Sequence, residues 1–164
     1  MTLASNPMSP KQLIVFDLDY TLWDCGGTWC DCLDPPFHER DGKIYDSYRR
    51  EPIRLYDDVP EIIDSLLAEG HQLAIASRTG EPGWARELMG MLGIAGLFHF
   101  EEIYPGSKVT HFRTIAADSG RSFEEMVFFD DEHRNITEVG ALGVPSILVD
   151  RGIRWPLVEK SLGR

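Results

Sequence analysis

Four short apolar runs, each stopped abruptly by a polar residue, constrain the fold of this 164-residue chain more than any other feature. A strand that is apolar along its length is buried on both faces, which is typical of a parallel sheet covered by helices. Amphipathic stretches separate the runs, so strands and helices alternate. The alternation predicts an α/β fold, a doubly wound three-layer sandwich around a central parallel sheet. The runs are residues 13–16, 73–76, 126–129 and 146–149.

Helix start and stop signals stand between the runs, where this fold requires them. Asp57 or Asp58 can cap a helix that has Pro60 in its first turn and ends at Gly70. Similar signals predict three further helices. They span residues 82–93, 107–120 and 136–143.

Residues 24–54 break the alternation and are called the insertion below. The segment is polar and rich in turn residues, including the pairs Pro35-Pro36 and Asp41-Gly42. A long irregular segment directly after the first strand is typical of a functional loop or flap. It is too short for a separate cap domain, and residues 44–45 and 53–55 are expected to form a small hairpin in it. We therefore predict one domain over residues 1–164, with 1–11 as a loose leader.

Composition excludes several classes of partner. The chain has 16 Lys and Arg against 27 Asp and Glu, a net charge of −11. A surface this acidic repels nucleic acid and anionic membranes. No apolar run approaches the roughly 20 residues that span a bilayer, and no signal-peptide core is present. Three cysteines are too few, and odd in number, for a secreted disulfide scaffold, so we expect a cytoplasmic location. We also expect a monomer.

The residues that stop the runs are the candidates for chemistry, because ligands of this fold bind beyond the carboxyl ends of the strands. Asp17 and Asp19 follow the first run, and two carboxylates two residues apart can face the same way on extended backbone. Such a pair can hold a hard cation or divide nucleophile and proton-donor roles. The alternative is an ordinary turn with surface acids.

Four further residues have the same ambiguity when each is taken alone. Ser77 ends the second run and can bind a phosphate oxygen or serve as a helix cap. Lys108 stands in the first turn of a predicted helix, where a cation opposes the helix dipole, so it is either functional or merely solvated. Asp130 and Asp131 follow the third run and can bind a cation or cap a helix, and Asn135 is placed to cap or orient Asp131.

The order of these residues along the chain resembles the haloacid dehalogenase (HAD) superfamily of phosphohydrolases. More closely, it resembles the small magnesium-dependent phosphatases of that superfamily, over nearly the whole chain. The resemblance implies a capless, Rossmann-like architecture with a short flap after the first strand. The segments that carry it are residues 15–23, 34–38, 76–79, 102–112 and 127–132.

The resemblance also implies roles for individual residues. Asp17 would be the nucleophile and Asp19 the general acid/base, giving an aspartyl-phosphate intermediate. Mg²⁺ would be bound by Asp17, the backbone carbonyl of Asp19, and Asp131, with Asp130 behind them or bound through water. The phosphate would be held by Ser77, Arg78 and Lys108. The implied substrates are phosphotyrosine in proteins or a sugar phosphate, including phosphorylated fructosamines.

Other interpretations fit the sequence less well. A regulatory receiver domain, which binds phosphoryl groups and Mg²⁺ without hydrolysing a substrate, has its paired acids early and its lysine last, whereas here Asp130 and Asp131 follow Lys108. A catalytically inactive scaffold would not need every expected polar group, and a metal-free dehalogenase would not need Asp19. A zinc site formed by Cys25, Cys30, Cys32 and His38 fits no common spacing.

Overall fold

The central sheet of the computed structural model, which describes residues 11–164, has five parallel strands in the order β7-β6-β1-β8-β9. The strands are β1 (Leu13–Phe16), β6 (Gln72–Ser77), β7 (Phe100–Ile103), β8 (Met126–Asp130) and β9 (Ser146–Leu148). The predicted α/β fold with a parallel sheet is therefore confirmed. Residues 1–10 of the predicted leader lie outside the described residues.

Strand β1 is the central strand of the sheet, and all four of its side chains are buried. It pairs in parallel with β6 on one side and β8 on the other, so that Phe16 lies between Ile75 and Phe129. The sequence analysis missed β7, whose sequence FEEI has no apolar run. This strand is at the edge of the sheet and only partly buried, so polar side chains are tolerated there.

Five helices cover the two faces of the sheet. On one face, Phe112, Ile115 and Val139 pack against Val15 and Phe128. The opposite face is covered by α1, α2 and α5, which contribute Ile62, Leu88 and Val158 to the other cluster. The short α5 was not predicted. The helices are α1 (Val59–Ala68), α2 (Pro82–Met91), α3 (Lys108–Ser119), α4 (His133–Gly140) and α5 (Trp155–Ser161).

No helix within residues 11–164 has the length and apolar character needed to cross a membrane.

The insertion folds into a four-stranded antiparallel sheet rather than a single hairpin. Its strands, in the order β2-β5-β4-β3, are β2 (Trp23–Cys25), β5 (Ile53–Leu55), β4 (Lys43–Tyr45) and β3 (His38–Arg40). The tight hairpin joins β3 to β4 through Asp41-Gly42, both at positive φ, as a two-residue turn of this kind requires. The predicted hairpin of 44–45 with 53–55 is confirmed, because the consecutive strands β4 and β5 pair antiparallel at Ile44 and Ile53, and two further strands extend it into the sheet.

Three backbone hydrogen bonds attach surrounding loops to the segment that follows β1. The amide nitrogens of Gly152 and Ile153 donate to the carbonyl oxygens of Tyr20 (2.8 Å) and Thr21 (2.9 Å), and Tyr56 donates to Leu22 (3.0 Å). Gly152 has a φ of +101°, and a Cβ placed there would lie 2.5 Å from the Tyr56 ring. A residue without a side chain is therefore required where the last loop meets this segment.

We expect Gly152→Ala to lower the free energy of unfolding by at least about 2 kcal/mol, because it adds a clash with Tyr56 to backbone strain. Urea denaturation would measure this. Gly93→Ala is the matched control: its φ is +80° and nothing lies within 4 Å of the position that the new methyl group would take, so only the strain should appear. Equal losses in the two variants would contradict the packing argument.

Candidate active site

The carboxyl ends of β1, β6 and β8 meet the first turn of α3 at one edge of the central sheet, around a cavity of about 340 Å³. Parallel strands bring these ends together although the residues are far apart in sequence. Of the predicted site residues, Asp17, Asp19, Arg78, Lys108 and Asp131 line this cavity.

Lys108 connects two of the strand ends. Its side chain is only 1% exposed, and Nζ lies 2.8 Å from Asp17 Oδ1 and 2.5 Å from Asp130 Oδ2. Burial lowers the pKa of Lys108, but the Asp17 and Asp130 carboxylates raise it more, so its pKa stays above the ordinary value. These ion pairs explain why a cation is accommodated in the first turn of α3, against the helix dipole.

Three carboxylates face one another beside this lysine. Each of Asp17, Asp130 and Asp131 offers an oxygen that lies within 4.8 Å of the others. Burial, followed by the charge of Asp17, raises the pKa of Asp130; burial and a hydrogen bond with Asp17 raise that of Asp131. One lysine does not balance three carboxylates, so the cluster fits a divalent cation with oxygen ligands.

The two adjacent aspartates occupy different environments. Asp130 is fully buried, and its oxygens accept hydrogen bonds from the amide of Glu132 (2.8 Å) and from Asn135 Nδ2 (3.0 Å), in addition to Lys108. Asp131 is half-buried and lines the cavity. Asp131 is thus the member of the pair that is open to a ligand in the cavity, while Asp130 lies behind it.

Only one of the two side-chain oxygens of Asp19 accepts hydrogen bonds from residues 11–164. Its Oδ1 accepts hydrogen bonds from Trp23 Nε1 (2.8 Å), the Cys30 amide (3.0 Å) and the Cys25 thiol (3.6 Å). Within residues 11–164, Oδ2 accepts none. Burial and then the nearby charge of Asp17 raise the pKa of Asp19 to about 7. A proton on this carboxyl group therefore resides on Oδ2.

Ser77 and Arg78, which were predicted to bind phosphate together with Lys108, differ in their position relative to the cavity. Arg78 lines the cavity, and its guanidinium donates to Asn135 Oδ1 (3.2 Å). Ser77 is buried, and its hydroxyl accepts a hydrogen bond from the Thr79 amide (3.3 Å). Asn135 thus joins Arg78 to Asp130, and the expectation that it orients Asp131 was wrong.

Sequence reasoning assigned no role to His111, which is fully buried in α3. Its Nε2 lies 2.9 Å from the carbonyl oxygen of Ser77 and 2.8 Å from that of Tyr104, and its Nδ1 lies 3.1 Å from that of Ser107. Its ring also stacks on that of Tyr104. His111 ties the end of β6 to the start of α3. The available signal was its position one helical turn after Ser107.

The hydroxyl group of Thr21 and the aromatic ring of Trp29 complete the site. Thr21 donates from its hydroxyl to Asp17 Oδ2 at 3.3 Å, which gives both oxygens of Asp17 a donor. Trp29 of the insertion lines the cavity and is about half exposed. The insertion therefore forms part of the cavity wall.

Comparisons with known proteins show the family of this chain. A family model of acid phosphatases matches residues 9–164. The chain belongs to this acid phosphatase family. The chain is 43% identical over 153 residues to magnesium-dependent phosphatase 1 of Homo sapiens, covering 92% of this chain and 85% of that protein. A HAD-like hydrolase superfamily protein of Schizosaccharomyces pombe is 38% identical over 155 residues, with 87% of each chain covered.

Solved structures show the same fold. A predicted phosphoglycolate phosphatase from Haemophilus somnus superposes with a TM-score of 0.66 at 16% identity, covering 94% of this chain and 92% of that one. CbbY from Rhodobacter sphaeroides in complex with phosphate gives 0.63 at 14% identity, covering 84% and 85%. The predicted membership of the HAD superfamily is confirmed by the 38% identical relative from Schizosaccharomyces pombe, whereas the role of each site residue remains a prediction.

In metal-free protein, Lys108→Met should lower the free energy of unfolding by about 3 kcal/mol, because it leaves buried carboxylates without their cation. Urea denaturation in excess EDTA would measure this. Adding Asp130→Asn to the same variant should restore part of the loss, since it removes one of the opposing charges. The exposed Lys160→Met is the control and should change stability by less than about 0.5 kcal/mol. Wild-type stability in the Lys108→Met protein would contradict the electrostatic role.

Proposed function

We propose that this chain is a magnesium-dependent phosphomonoester hydrolase that acts through an aspartyl-phosphate on Asp17. The observation that carries the proposal is the cluster of Asp17, Asp130 and Asp131 around the buried Lys108, at the edge of a HAD-like sheet. Phosphatase activity itself agrees with membership of the acid phosphatase family.

The predicted magnesium cofactor is confirmed by the name of the human relative together with the acidic cluster. The Asp17 and Asp131 carboxylates would hold it, with the backbone carbonyl of Asp19. When bound, Mg²⁺ neutralises negative charge and orients the reacting oxygens.

Charge is the main obstacle to this chemistry. A phosphate monoester is a dianion and the Asp17 carboxylate is an anion, and two unit charges 4 Å apart interact by about 4 kcal/mol at an effective dielectric of 20. Lys108 and Arg78 place fixed positive charge at the cavity wall. Because both side chains are already held by partners, by Asp17 and Asp130 for Lys108 and by Asn135 for Arg78, little reorganisation is needed when the phosphate arrives.

In the first step, a carboxylate oxygen of Asp17 attacks phosphorus and the bond from phosphorus to the ester oxygen breaks. Asp19 gives its proton to that leaving oxygen, which departs as an alcohol or phenol. The three donors on Oδ1 of Asp19 leave Oδ2 as the oxygen that carries this proton.

In the second step, a water molecule attacks phosphorus of the aspartyl-phosphate, and its proton passes to the now ionised Asp19. The bond between phosphorus and the Asp17 oxygen breaks, which releases inorganic phosphate and restores both carboxyl groups. A single residue thus acts as acid and then as base.

The substrate is proposed at the level of two classes, phosphotyrosine in a protein and a sugar phosphate such as a phosphorylated fructosamine. Supporting the first, the cavity has an aromatic wall at Trp29. An aryl-phosphate site should hydrolyse aryl esters more efficiently than any sugar phosphate, and a sugar-phosphate enzyme should show the opposite order. The cytoplasmic location and monomeric state remain predictions.

Asp17→Asn should abolish hydrolysis of p-nitrophenyl phosphate, because the amide is not a nucleophile, while the fold is retained. Release of p-nitrophenol by wild-type and variant protein with Mg²⁺, and by wild-type protein with excess EDTA, would measure this. Asp118→Asn, at an exposed position on α3, is the control and should keep wild-type turnover. A wild-type protein inactive on every phosphomonoester would instead favour a regulatory module that binds phosphoryl groups and Mg²⁺.

Asp19→Asn should reduce activity in a way that depends on the leaving group. The loss should be about 10³-fold for alkyl phosphates, whose leaving oxygen needs a proton, and much smaller for p-nitrophenyl phosphate. Comparing kcat/KM, which reports on formation of the aspartyl-phosphate alone, for a series of esters in wild type and variant measures the slope against leaving-group pKa. Equal losses across the series would exclude Asp19 as the proton donor.

A further inference from the structure

A second cavity lies beside the segment that follows β1 and carries an excess of positive charge. Its volume is about 450 Å³, and three arginines line it in a chain whose net charge is −11. The arginines are Arg54 of the insertion, and Arg151 and Arg154 of the loop that follows β9. This group is called the arginine pocket below.

The acids of this pocket do not neutralise it. Within residues 11–164, no carboxylate oxygen lies within 4.0 Å of the guanidinium of Arg151 or Arg154. Nη1 of Arg54 lies 4.0 Å from Oδ1 of Asp57, and both side chains are exposed. Oδ2 of Asp58 accepts a hydrogen bond from the backbone amide of Trp155 at 2.9 Å. Two guanidinium groups are therefore available for an anion.

The pocket has a rigid floor. The Tyr56 ring packs against Gly152, where a Cβ would lie 2.5 Å from it, and the amides of Gly152 and Ile153 donate to the carbonyl oxygens of Tyr20 and Thr21. The loop that carries Arg151 and Arg154 is thus hydrogen-bonded to the segment that carries Asp17 and Asp19.

Two aromatic rings lead from the arginine pocket to the mouth of the catalytic cavity. Cζ of Arg151 lies 5.9 Å from the centre of the Tyr20 ring, and that ring meets Trp29 edge-on at 6.1 Å. Trp29 lines the catalytic cavity. A ligand that fills the catalytic cavity and extends past Trp29 and Tyr20 therefore reaches Arg151.

We propose that the arginine pocket binds an acidic side chain of a phosphorylated peptide substrate while the phosphorylated residue occupies the catalytic cavity. The inference rests on the proposed function and selects between its two substrate classes. Extended peptide covers about 3.3 Å per residue, so an acidic residue two to four positions from the phosphorylated one spans the two rings. A simple monosaccharide monophosphate has no second acidic group and is too short for that span.

The test compares two phosphotyrosine peptides of equal length. One has Glu, and the other has Gln, at the positions two to four residues away from phosphotyrosine. Wild-type protein with Mg²⁺ should show a kcat/KM about 10-fold higher for the Glu peptide at low ionic strength, from two exposed ion pairs. The preference should disappear near 1 M salt, where the Debye length is about 3 Å.

The variant Arg151→Gln with Arg154→Gln should bring the ratio of the two kcat/KM values down to about 2-fold. The ratio is the readout because a general loss of activity cancels in it. Arg113→Gln, at an exposed arginine on α3, is the matched control and should keep the wild-type ratio.

The outcomes separate this inference from the proposed function. Hydrolysis of p-nitrophenyl phosphate with a Glu-to-Gln ratio near 1 in wild type, or an unchanged ratio in the double variant, would overturn the peptide inference alone. If the substitutions altered only inhibition by free inorganic phosphate, the pocket would be a site for a free anion and the inference would be wrong. If wild-type protein hydrolysed none of these esters, both the peptide inference and the proposed function would be overturned.

Discussion

The paired contacts of Lys108 with Asp17 and Asp130 are the constraint on which the rest of the site depends. They bring one cation into a buried position between the ends of β1 and β8, where the two carboxylates alone would repel each other. A buried ion pair of this kind adds little net stability, but removing one partner is costly because the other charge is left uncompensated. The arrangement thus sets the position of Asp17, the proposed nucleophile, and its unbalanced negative charge is what a divalent cation would neutralise.

Two further side chains, Asn135 and His111, connect this arrangement to the side of the cavity that is proposed to bind phosphate. Asn135 donates from its amide nitrogen to Asp130 and accepts from Arg78 at its amide oxygen, so that a single residue connects the acidic cluster to Arg78, which is proposed to bind phosphate. His111 lies among the carbonyl oxygens of Ser77, Tyr104 and Ser107. Because it joins β6 to α3, the positions of Arg78 and Lys108 are set together.

The insertion contributes to the chemistry as well as to the cavity wall. All three donors to Asp19 come from residues 23–30: the Trp23 indole, the Cys25 thiol and the Cys30 amide. They orient the carboxyl group, and burial beneath the insertion raises its pKa to about 7. The insertion also supplies Trp29 to the lining of the catalytic cavity and Arg54 to the lining of the arginine pocket. Proton donation and substrate selection would therefore both depend on the insertion.

The sequence by itself determined the α/β class, four of the five central strands, four of the five helices, and the cluster of Asp17, Lys108 and Asp131. These follow from local patterns: apolar runs, caps, and polar residues at strand ends that a parallel sheet must bring to one edge. Tertiary structure alone decided the antiparallel sheet of the insertion, the half-polar edge strand β7, the partners of Asn135 and His111, and the arginine pocket. Each of these depends on contacts between residues distant in sequence, such as Arg54 with the loop at 151–154, and no local pattern specifies which distant groups will meet.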